Sequence, residues 1–342
     1  MTARQRVLVI GAGSIGERHI RCFLATERVD VAICEPNITV RQAMQGRYGV
    51  AQSFGSIVDS LASQFDLAVV ATPAQFHVLQ AQLLVEQGIH VLVEKPLSLN
   101  LNGIKELENT AASRGVSAGV AYPYRAHPAV AAMRAAIATG RFGQPLEVIV
   151  VAGQHFPTYR PAYREIYYRD RATGGGAIQD ALTHLINVVE WIVGPSTRVI
   201  ADAAHLILEG VTVEDTVHVL ARNTNVATSY VLNQHQPANE LSVTVICEGG
   251  QTRFEGHQAK WSWITEVDGA WHEERVMLDR DTLFRQQAEA FLDAIDERRP
   301  PLCPINEGRA TVETVLAILA SLDSGRWEQV GAASATPARN KL

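Results

Sequence analysis

The chain has 342 residues, of which 47% are hydrophobic and 19% charged. This composition is typical of soluble globular proteins and excludes collagen-like, mucin-like and wholly disordered chains. At about 150 residues per domain, the length favours two domains. The net charge of −6 gives no global attraction to nucleic acid or to an anionic membrane, so we predict neither as a partner.

The cysteines and the N-terminus indicate the compartment. Cys22, Cys34, Cys247 and Cys303 form no C-x-x-C pair and are too few to cross-link a chain of this length. The first apolar run, residues 7–10, is far shorter than the core of a signal peptide. No apolar run reaches the ~18 residues that a membrane span needs. We therefore expect a reduced, cytoplasmic protein.

The first part of the chain alternates short apolar runs with longer segments of helical period, a pattern that predicts a parallel sheet with crossover helices. The predicted strands are Arg6–Ile10, Asp30–Cys34, Asp66–Ala71, Ile89–Glu94 and Val116–Ala121. The predicted helices are Ile15–Thr26, Thr39–Tyr48, Ala74–Gln87 and Leu99–Arg114. We assign residues 1–122 to a doubly wound α/β domain of the Rossmann type, which binds NAD or NADP.

The second part, residues 123–330, predicts an α+β domain with a large open and mostly antiparallel sheet. Its predicted helices are Ala129–Thr139, Ala177–Val193, Leu283–Glu297 and Asn306–Leu322. Its predicted strands are Leu146–His155, Arg198–Leu208, Thr216–Arg222, Ala227–Gln234, Leu241–Cys247, Thr252–His257, Trp261–Glu266 and Trp271–Leu278. The last helix, 306–322, is placed to pack back on the first domain, and residues 331–342 are expected to form a frayed tail.

A glycine motif follows the first predicted strand and begins the first helix. The sequence Gly11-Ala12-Gly13-Ser14-Ile15-Gly16 fits G-x-G-x-x-G. In such a loop the first glycine permits a tight turn, the second lets the backbone approach a pyrophosphate, and the third allows close packing of helix on strand. Glu35 ends the second strand about 20 residues later, where an acidic residue binds the ribose hydroxyls. A strand-turn-helix loop without a ligand is the alternative.

Glu35 also bears on the choice of cofactor. Its carboxylate would repel the 2′-phosphate of NADP and bind the bare ribose of NAD, so NAD is preferred. Arg41 lies in the next helix and could bind a phosphate, or it is a solvated surface arginine.

Residues that follow the other strands are expected near the ligand, because open α/β sheets bind ligands at the carboxyl ends of their strands. Ala71-Thr72-Pro73 follows one strand, with His77 a helical turn later, and Glu94-Lys95-Pro96 follows the next. A lysine held there can stabilise the alkoxide that develops as a hydride leaves. The alternatives are a surface role for Lys95 and a helix-capping or packing role for His77.

A polar stripe (Asp180, Thr183, His184 and Asn187) lies at helical spacing along the otherwise apolar helix 177–193, which the glycines 174–176 precede. We interpret His184 as an acid/base residue that Asp180 orients or works beside. The stripe could instead be a solvent-facing surface or half of a metal site. No H-x-x-x-H or cysteine cluster completes such a site, and we predict no metal.

Together these motifs resemble the Gfo/Idh/MocA oxidoreductases, which include inositol dehydrogenases and glucose–fructose oxidoreductase. The resemblance covers nearly the whole chain and includes Glu17, Arg18 and His19 after the glycine motif. It implies a Rossmann domain, a second domain whose open sheet mediates dimers or tetramers, and oxidation or reduction of a sugar, cyclitol or polyol. It also implies that Lys95 binds the reacting hydroxyl, that His184 is the general acid/base, and that Asp180 binds substrate or supports the histidine.

The expected site residues fall into two further groups. The cofactor is expected to contact Gly11, Gly13, Ser14, Ile15, Gly16, Glu35, Ala71, Thr72, Pro73, His77, Glu94 and Lys95. The substrate is expected to contact Tyr122, Arg125, Arg160, Tyr163, Arg164 and Asn187. Residues 159–164 are similar to a tryptophan-rich stretch of family members that act on sugars, or they form a solvated arginine loop.

We therefore predict an NAD-dependent oxidoreductase that transfers a hydride between the cofactor and a hydroxyl or keto carbon of a sugar, cyclitol or related polyol. One alternative is redox-assisted glycoside hydrolysis or elimination with tightly held NAD. Another is a non-catalytic, nucleotide-sensing regulator of the same fold, against which the presence of Lys95, Asp180 and His184 argues.

Overall fold

A six-stranded parallel sheet forms the centre of the first part of the chain, in a computed structural model that describes residues 4–331. Its strands are β1 (Gln5–Ile10), β2 (Val29–Cys34), β3 (Gln52–Phe54), β4 (Leu67–Val70), β5 (His90–Glu94) and β6 (Ala118–Ala121). They lie in the order β3-β2-β1-β4-β5-β6, so the predicted doubly wound sheet is confirmed. The sequence analysis missed β3, a three-residue edge strand with no fully buried position and therefore no apolar signal.

Helices cover both faces of this sheet. They are α1 (Ser14–Leu24), α2 (Ile38–Tyr48), α3 (Ile57–Ser60), α4 (His77–Glu86) and α5 (Ile104–Arg114). Every residue of β4 is fully buried, and alternate residues of β1 belong to separate hydrophobic cores on the two faces. This double burial explains why the strands are continuous apolar runs in the sequence.

The second part of the chain contains a nine-stranded sheet. Its strands are β7 (Pro145–Gly153), β8 (Arg198–Ala204), β9 (Thr216–Asn223), β10 (Val226–Asn233), β11 (Glu240–Cys247), β12 (Gly250–Glu255), β13 (Lys260–Ile264), β14 (His272–Arg275) and β15 (Glu328–Gln329). The order is β14-β13-β12-β11-β7-β10-β9-β8-β15, in which β7 and β10 pair in parallel and the other pairs are antiparallel. The predicted, mostly antiparallel sheet is confirmed.

One face of this sheet is covered by helices and the other is exposed. The helices of this part are α6 (Pro128–Ala138), α7 (Phe156–Tyr159), α8 (Thr183–Val193), α9 (Thr282–Asp296) and α10 (Ile305–Ser324). In β9, Val217 and Val219 are buried in the core that contains residues of α6, α8 and α10, whereas Leu220 between β9's buried positions is 53% exposed. The alternation leaves the residues between the buried positions of β9 on the exposed face.

Helix α9 packs on the first sheet, although the sequence division placed these residues in the second domain. Its Phe291 and Leu292 share a core with Phe23 of α1. Arg28 donates hydrogen bonds of 2.6–2.7 Å to three carboxylates of α9, those of Glu289, Asp293 and Asp296. The amphipathic face of α9 therefore completes the first core.

Helix α10 contacts both parts of the chain. A Cβ atom on Gly308 would lie 2.4 Å from the side chain of Val120 in β6, whereas Ile318 belongs to the core of the second sheet. The segment before α10 also covers the edge of the first sheet, where the Val120 N–H donates to the Cys303 carbonyl. The predicted tail lies outside the described residues from position 332 onward. Within residues 4–331, no helix is long and apolar enough to cross a membrane.

Candidate active site

The glycine motif forms a tight loop between β1 and α1. Gly11 has a φ of +86°, and a Cβ atom there would lie 2.6 Å from the Ala71 carbonyl oxygen. A Cβ atom on Gly16 would lie 1.9 Å from the Gly11 carbonyl oxygen, so that helix and strand approach as closely as expected. Above Gly13, by contrast, no described atom comes within 4 Å of such a Cβ atom. The loop leaves open space where a pyrophosphate would approach the backbone.

Glu35 lies beside this loop at the end of β2. Its carboxylate accepts hydrogen bonds from the backbone N–H groups of Ala12 and Asn37, each 2.9 Å long. Arg41 donates to the Glu35 carbonyl oxygen at 2.5 Å. An anchored carboxylate next to an open glycine loop and the N-terminus of α1 fits a dinucleotide with an unmodified ribose. Arg41 lies close enough to Glu35 to influence the choice between NAD and NADP.

The loop after β4 packs beneath the glycine motif. His77 is 1% exposed, and its two ring nitrogens lie 2.7 Å from the Thr72 carbonyl oxygen and 2.9 Å from that of Pro96. Burial lowers the pKa of His77, although the contacts with the two carbonyl oxygens oppose this shift. These contacts favour the packing alternative for His77, because the ring joins two loops. Ala71 is also buried, whereas Pro73 is exposed.

Glu94 and His19 form a buried pair under the lysine. The Nε2 atom of His19 in α1 lies 2.7 Å from Oε1 of Glu94, and both side chains are almost fully buried. The other carboxylate oxygen of Glu94 accepts a hydrogen bond from the Lys95 backbone N–H. Glu94 thus binds protein groups with both oxygens and holds the turn that presents Lys95. Sequence reasoning named His19 only as part of the family resemblance.

Lys95 extends from the carboxyl end of β5 to the helix that carries Asp180. Its ammonium donates hydrogen bonds of 2.9 Å to both the Oδ1 atom and the backbone carbonyl of Asp180. Burial disfavours the charged ammonium, but the Asp180 carboxylate outweighs burial and raises the pKa of Lys95. The surface alternative for Lys95 does not fit this geometry, since the side chain is 16% exposed and pairs with a carboxylate.

The polar stripe does not lie on one helix face. Residues Ile178–Leu182 form a π-helix that leads into α8, whereas the sequence analysis assumed one regular α-helix. Asp180 and His184 line a cleft, while Thr183 and Asn187 are 1% and 0% exposed in the protein interior. The wider π-turn changes the angular offset between residues, and such turns are frequent at functional sites. The solvent-face alternative is wrong.

His184 lies among aromatic rings. The edges and faces of Tyr122 and Tyr124 meet its ring at centroid distances of 6.0 and 5.9 Å. Its Nδ1 atom is buried without a hydrogen-bond partner among the described residues. Burial, followed by the charge of Lys95, lowers the pKa of His184 to about 3. His184 is therefore a neutral imidazole beside a cation, and it makes no direct hydrogen bond to Asp180 by which that residue could orient it.

Asp180 receives a second donor that the sequence analysis missed. The hydroxyl of Tyr167 donates to Oδ1 of Asp180 at 2.6 Å. Burial would raise the pKa of Asp180, but Lys95 and the Tyr167 hydrogen bond outweigh it and lower that pKa. Asp180 is thus a carboxylate at neutral pH. Tyr167 gave no sequence signal, because it is one tyrosine in a polar loop.

The cleft has a volume of about 470 Å³ and lies between the carboxyl edge of the first sheet and the second sheet. The residues that line it include Ile15, Lys95, Tyr124, His127, Gln154, Arg160, Asp180, His184, Asn233, Gln234 and His257. A larger cavity of about 790 Å³ lies at the opposite edge of the first sheet, near His90 and Pro301. That cavity contains none of the residues with candidate chemistry, so the smaller cleft is the candidate active site.

Arg160 alone of the predicted substrate residues lines this cleft. It forms no ion pair within residues 4–331. Tyr122, Arg125 and Asn187 are buried at the junction of the two parts of the chain instead. There Arg125 donates to Asn187 Oδ1 at 2.7 Å and pairs with Glu307, and Tyr122 hydrogen-bonds Thr183. Their place in the structure is a polar interior and not a ligand-facing wall.

Tyr163 and Arg164 lie below the segment that carries Arg160. Tyr163 is 1% exposed and packs with Phe156 and Tyr168 in a small aromatic core. Its hydroxyl donates to the Glu209 carbonyl, while Arg164 donates to that hydroxyl and pairs with Glu209. Within the stretch 159–164, Arg160 therefore faces the cleft, whereas Tyr163 is buried below it. The stretch as a whole is not a solvated arginine loop.

Comparison with known proteins agrees with this geometry. The profile of the oxidoreductase family with an NAD-binding Rossmann fold matches residues 5–122, and that of the GFO/IDH/MocA C-terminal domain matches residues 130–253. The chain belongs to the Gfo/Idh/MocA family of oxidoreductases. NAD binding by the first domain follows from this membership. Within residues 4–331, no group of three or more His, Cys, Asp or Glu side chains could hold a metal ion.

Several family members are similar over nearly their whole length. The 1,5-anhydro-D-fructose reductase of Ensifer adhaerens is 27% identical over 339 residues, which cover 94% of this chain and 97% of the reductase. The crystal structure of GenD2 from gentamicin A biosynthesis, in complex with NAD, is 26% identical with a TM-score of 0.81 and coverage of 97% and 98%. Levoglucosan dehydrogenase in complex with NADH and levoglucosan has a TM-score of 0.88 at 20% identity, with coverage of 96% and 100%, and shares the fold.

Proposed function

We propose that this protein is an NAD-dependent dehydrogenase that transfers a hydride between NAD and a hydroxyl or keto carbon of a sugar, cyclitol or related polyol. The observation that carries the proposal is the meeting of Lys95, Asp180 and His184 in one cleft beside the glycine loop. The names of the similar reductase and dehydrogenases support a carbohydrate-like substrate.

His184 acts as the general base in the direction of oxidation. A base must be unprotonated to accept a proton, and the low pKa of His184 keeps its imidazole neutral. The ring packs edge-on against the rings of Tyr122 and Tyr124, which holds its orientation without a hydrogen bond to Asp180. In the direction of reduction the same residue returns the proton to the developing alkoxide.

Lys95 stabilises the negative charge that develops on the substrate, and Asp180 holds the lysine in place. The Lys95 ammonium is held by two oxygens of Asp180, so it is preorganised to bind the reacting hydroxyl and its alkoxide form. Asp180 keeps one carboxylate oxygen, Oδ2, without a hydrogen bond from the described residues. That oxygen is able to accept a hydrogen bond from a second substrate hydroxyl.

The cofactor would lie along the carboxyl edge of the first sheet. Its pyrophosphate would be held by Gly11, Gly13, Ser14, Ile15 and Gly16, and its adenosine ribose by Glu35. Its nicotinamide half would contact Ala71, Thr72, Pro73, Glu94 and Lys95. His77 would support two of these loops from below. When bound, the nicotinamide accepts or donates the hydride. The anchored Glu35 carboxylate favours NAD over NADP, because it would repel a 2′-phosphate.

The substrate ring would occupy the cleft between the two sheets. Arg160 is placed to bind polar groups of the substrate away from the reacting carbon, together with Tyr124 and Gln154. Tyr122, Arg125 and Asn187 support the cleft from the interior, and Tyr163 and Arg164 support the segment of Arg160. We also propose a cytoplasmic homodimer or homotetramer formed through the open face of the nine-stranded sheet, whose Leu220 is half exposed.

A substrate panel tests the function. Free sugars, inositols, sugar acids and glycosides are incubated with the protein and NAD, and NADH absorbance is followed. We expect stoichiometric NADH formation with at least one free polyol. Cleavage of a glycoside without net NADH would favour the redox-assisted hydrolase, and NAD binding without any turnover would favour the regulator.

Cofactor choice is tested by fluorescence titration with NAD and NADP. The unaltered protein should bind NAD more tightly, and Glu35→Ala should narrow the difference, because the substitution removes both the ribose hydrogen bonds and the repulsion of a 2′-phosphate. Glu27→Ala, at an acidic residue in the turn before β2, serves as the matched control. Tighter binding of NADP by the unaltered protein would overturn the assignment.

A further inference from the structure

Asp180 has unequal carboxylate oxygens. Lys95 Nζ and the Tyr167 hydroxyl both donate to Oδ1, at 2.9 and 2.6 Å. A carboxylate oxygen accepts about two hydrogen bonds in good geometry, so Oδ1 is saturated. The other oxygen, Oδ2, accepts none from the described residues. Two donors on one oxygen fix the rotation of the carboxylate and leave a defined oxygen free.

Tyr167 is itself held in place by its neighbours. Its backbone carbonyl accepts a hydrogen bond of 2.8 Å from the Thr173 hydroxyl. The next residue, Tyr168, is fully buried, packs against Phe156 at a centroid distance of 4.5 Å and hydrogen-bonds Gln234. The aromatic core therefore fixes the backbone, while the Tyr167 side chain is 46% exposed and its hydroxyl reaches Asp180, which lines the cleft.

The hydroxyl of Tyr167 can act only as a donor toward Asp180 at neutral pH. Although the side chain is half exposed, desolvation where its hydroxyl meets Asp180 raises the pKa of Tyr167 to about 12, and the Asp180 charge adds to this shift while Lys95 opposes it. A neutral phenol that donates to a carboxylate is a charge-assisted hydrogen bond, which is stronger than one between neutral groups. This bond stabilises the anionic form of Asp180 that the Lys95 ammonium pairs with.

We propose that Tyr167 is a positioning residue that fixes the Asp180 carboxylate, and through it the Lys95 ammonium, for hydride transfer. The inference rests on the proposed function, in which Lys95 and Asp180 bind the substrate. Without Tyr167, Asp180 rotates about its side-chain bonds and shares both oxygens between Lys95 and solvent. The lysine then loses its fixed position relative to the reacting hydroxyl.

The test is Tyr167→Phe, which removes one oxygen atom from a half-exposed side chain. We expect kcat for oxidation to fall about 10- to 100-fold, the range for losing a hydrogen bond to a charged group, while the Kd of NAD stays unchanged. The contribution of Asp180 protonation to the acid limb of kcat/KM should move to higher pH, because Asp180 loses a donor that lowers its pKa, whereas the contribution of His184 should stay in place. Tyr48→Phe is the matched control, since Tyr48 donates to the Glu17 carboxylate away from the cleft.

A double-mutant cycle separates positioning from a general structural effect. If Tyr167 acts through Asp180, Tyr167→Phe should have almost no further effect in an Asp180→Asn background. Additive losses in the cycle, or a wild-type kcat and pH profile for Tyr167→Phe, would overturn the proposal.

A crystal structure of the Tyr167→Phe variant provides a readout that needs no substrate. The Asp180 carboxylate should occupy a different rotamer or more than one, and an unchanged single rotamer would contradict the positioning role. If the unaltered protein oxidises no polyol in the panel, the proposed function fails, and the rotamer of Asp180 still decides whether Tyr167 positions it.

Discussion

Two pairs of polar residues on opposite sides of one helical segment differ in how many hydrogen-bond partners the protein gives them. On the cleft side, Asp180 and His184 retain a carboxylate oxygen and a ring nitrogen without partners among the described residues. On the interior side, Asn187 and Glu190 are each bound by several protein groups. Buried polar groups are normally satisfied, and on this helical segment the groups without partners belong to the two residues that line the cleft. Composition alone would not separate the two sides.

The largest effect should follow from changing the cleft side at His184. His184→Asn retains approximate size but removes the base, so oxidation should fall about 10²- to 10⁴-fold with NAD affinity almost unchanged. Because burial and Lys95 hold the pKa of His184 near 3, its acid limb in kcat/KM should lie below pH 5 and not near the ordinary value of 6.5. Single-turnover rates across pH, with saturating NAD and substrate, measure both.

His272→Asn is the control for this substitution, because His272 lies on the exposed strand β14. If His184→Asn kept the wild-type rate and its acid limb, another group would be the base, and the difference between the two sides of the helix would have no catalytic meaning.

Lys95→Met should reduce turnover by about 10²-fold or more, because the lost charge acts mainly on the developing oxyanion. The fold and NAD binding should persist, as measured by circular dichroism and fluorescence titration. Lys105→Met on α5, where the lysine is exposed and pairs with Glu108, should leave turnover unchanged. Near-normal turnover of Lys95→Met would mean that its pairing with Asp180 is structural.

The interior side should respond in stability and not in chemistry. Asn187→Leu removes the partner of the Arg125 guanidinium and a donor to Thr311. We expect the free energy of unfolding to fall by about 2–4 kcal/mol, because buried polar groups lose their partners. Turnover of the folded fraction should stay within a few-fold of wild type. Urea unfolding and kcat at low temperature measure the two effects, with the exposed Asn102→Leu as control.

The smallest effect concerns the pH dependence of stability, to which the buried histidines and Glu190 contribute with opposite signs. Burial lowers the pKa of His184 to about 3 and that of His127 to about 4. Their unfolded forms bind protons near pH 6.5, so stability is lost as pH falls below that value. Burial raises the pKa of Glu190 above 4.5, so its folded form binds more protons and stability is lost as pH rises.

We therefore compare the free energy of unfolding of Glu190→Gln with that of the unaltered protein. The difference should favour the variant more at pH 8 than at pH 5. Urea unfolding at both values measures this difference. A difference of the opposite sign would mean that Glu190 is stabilised as a carboxylate by its threonine donors.

Local patterns made much of the fold and part of the site predictable. The glycine motif, Glu35 and the residues after each strand have fixed spacing from elements that the apolar runs define. The loop geometry at Gly11 and Gly16 agrees with the roles that their spacing suggested. The place of Lys95 followed in the same way, because parallel strands end at one edge of the sheet.

Features that depend on distant contacts were not predictable. A period of 3.6 residues put Asp180 and Asn187 on one face, and the sequence carries no clear mark of the π-turn that separates them. The burial of Arg125 depends on Asn187 and on Glu307 of α10. Tyr167 reaches Asp180 from a loop whose position is set by an aromatic core. Each depends on tertiary packing and not on local periodicity.

The packing of α9 on α1 has a consequence for how the protein folds during synthesis. The ribosome releases the N-terminal strands and the glycine loop first, but Phe291 and Leu292, which cover Phe23, emerge near the end of translation. Until then the apolar side of α1 is uncovered. Arg21 in the last turn of α1 and Arg28 just after the helix also lack their carboxylate partners. The core of the first sheet is therefore completed late, so a chain truncated before α9 leaves α1 uncovered even when every glycine of the motif is present.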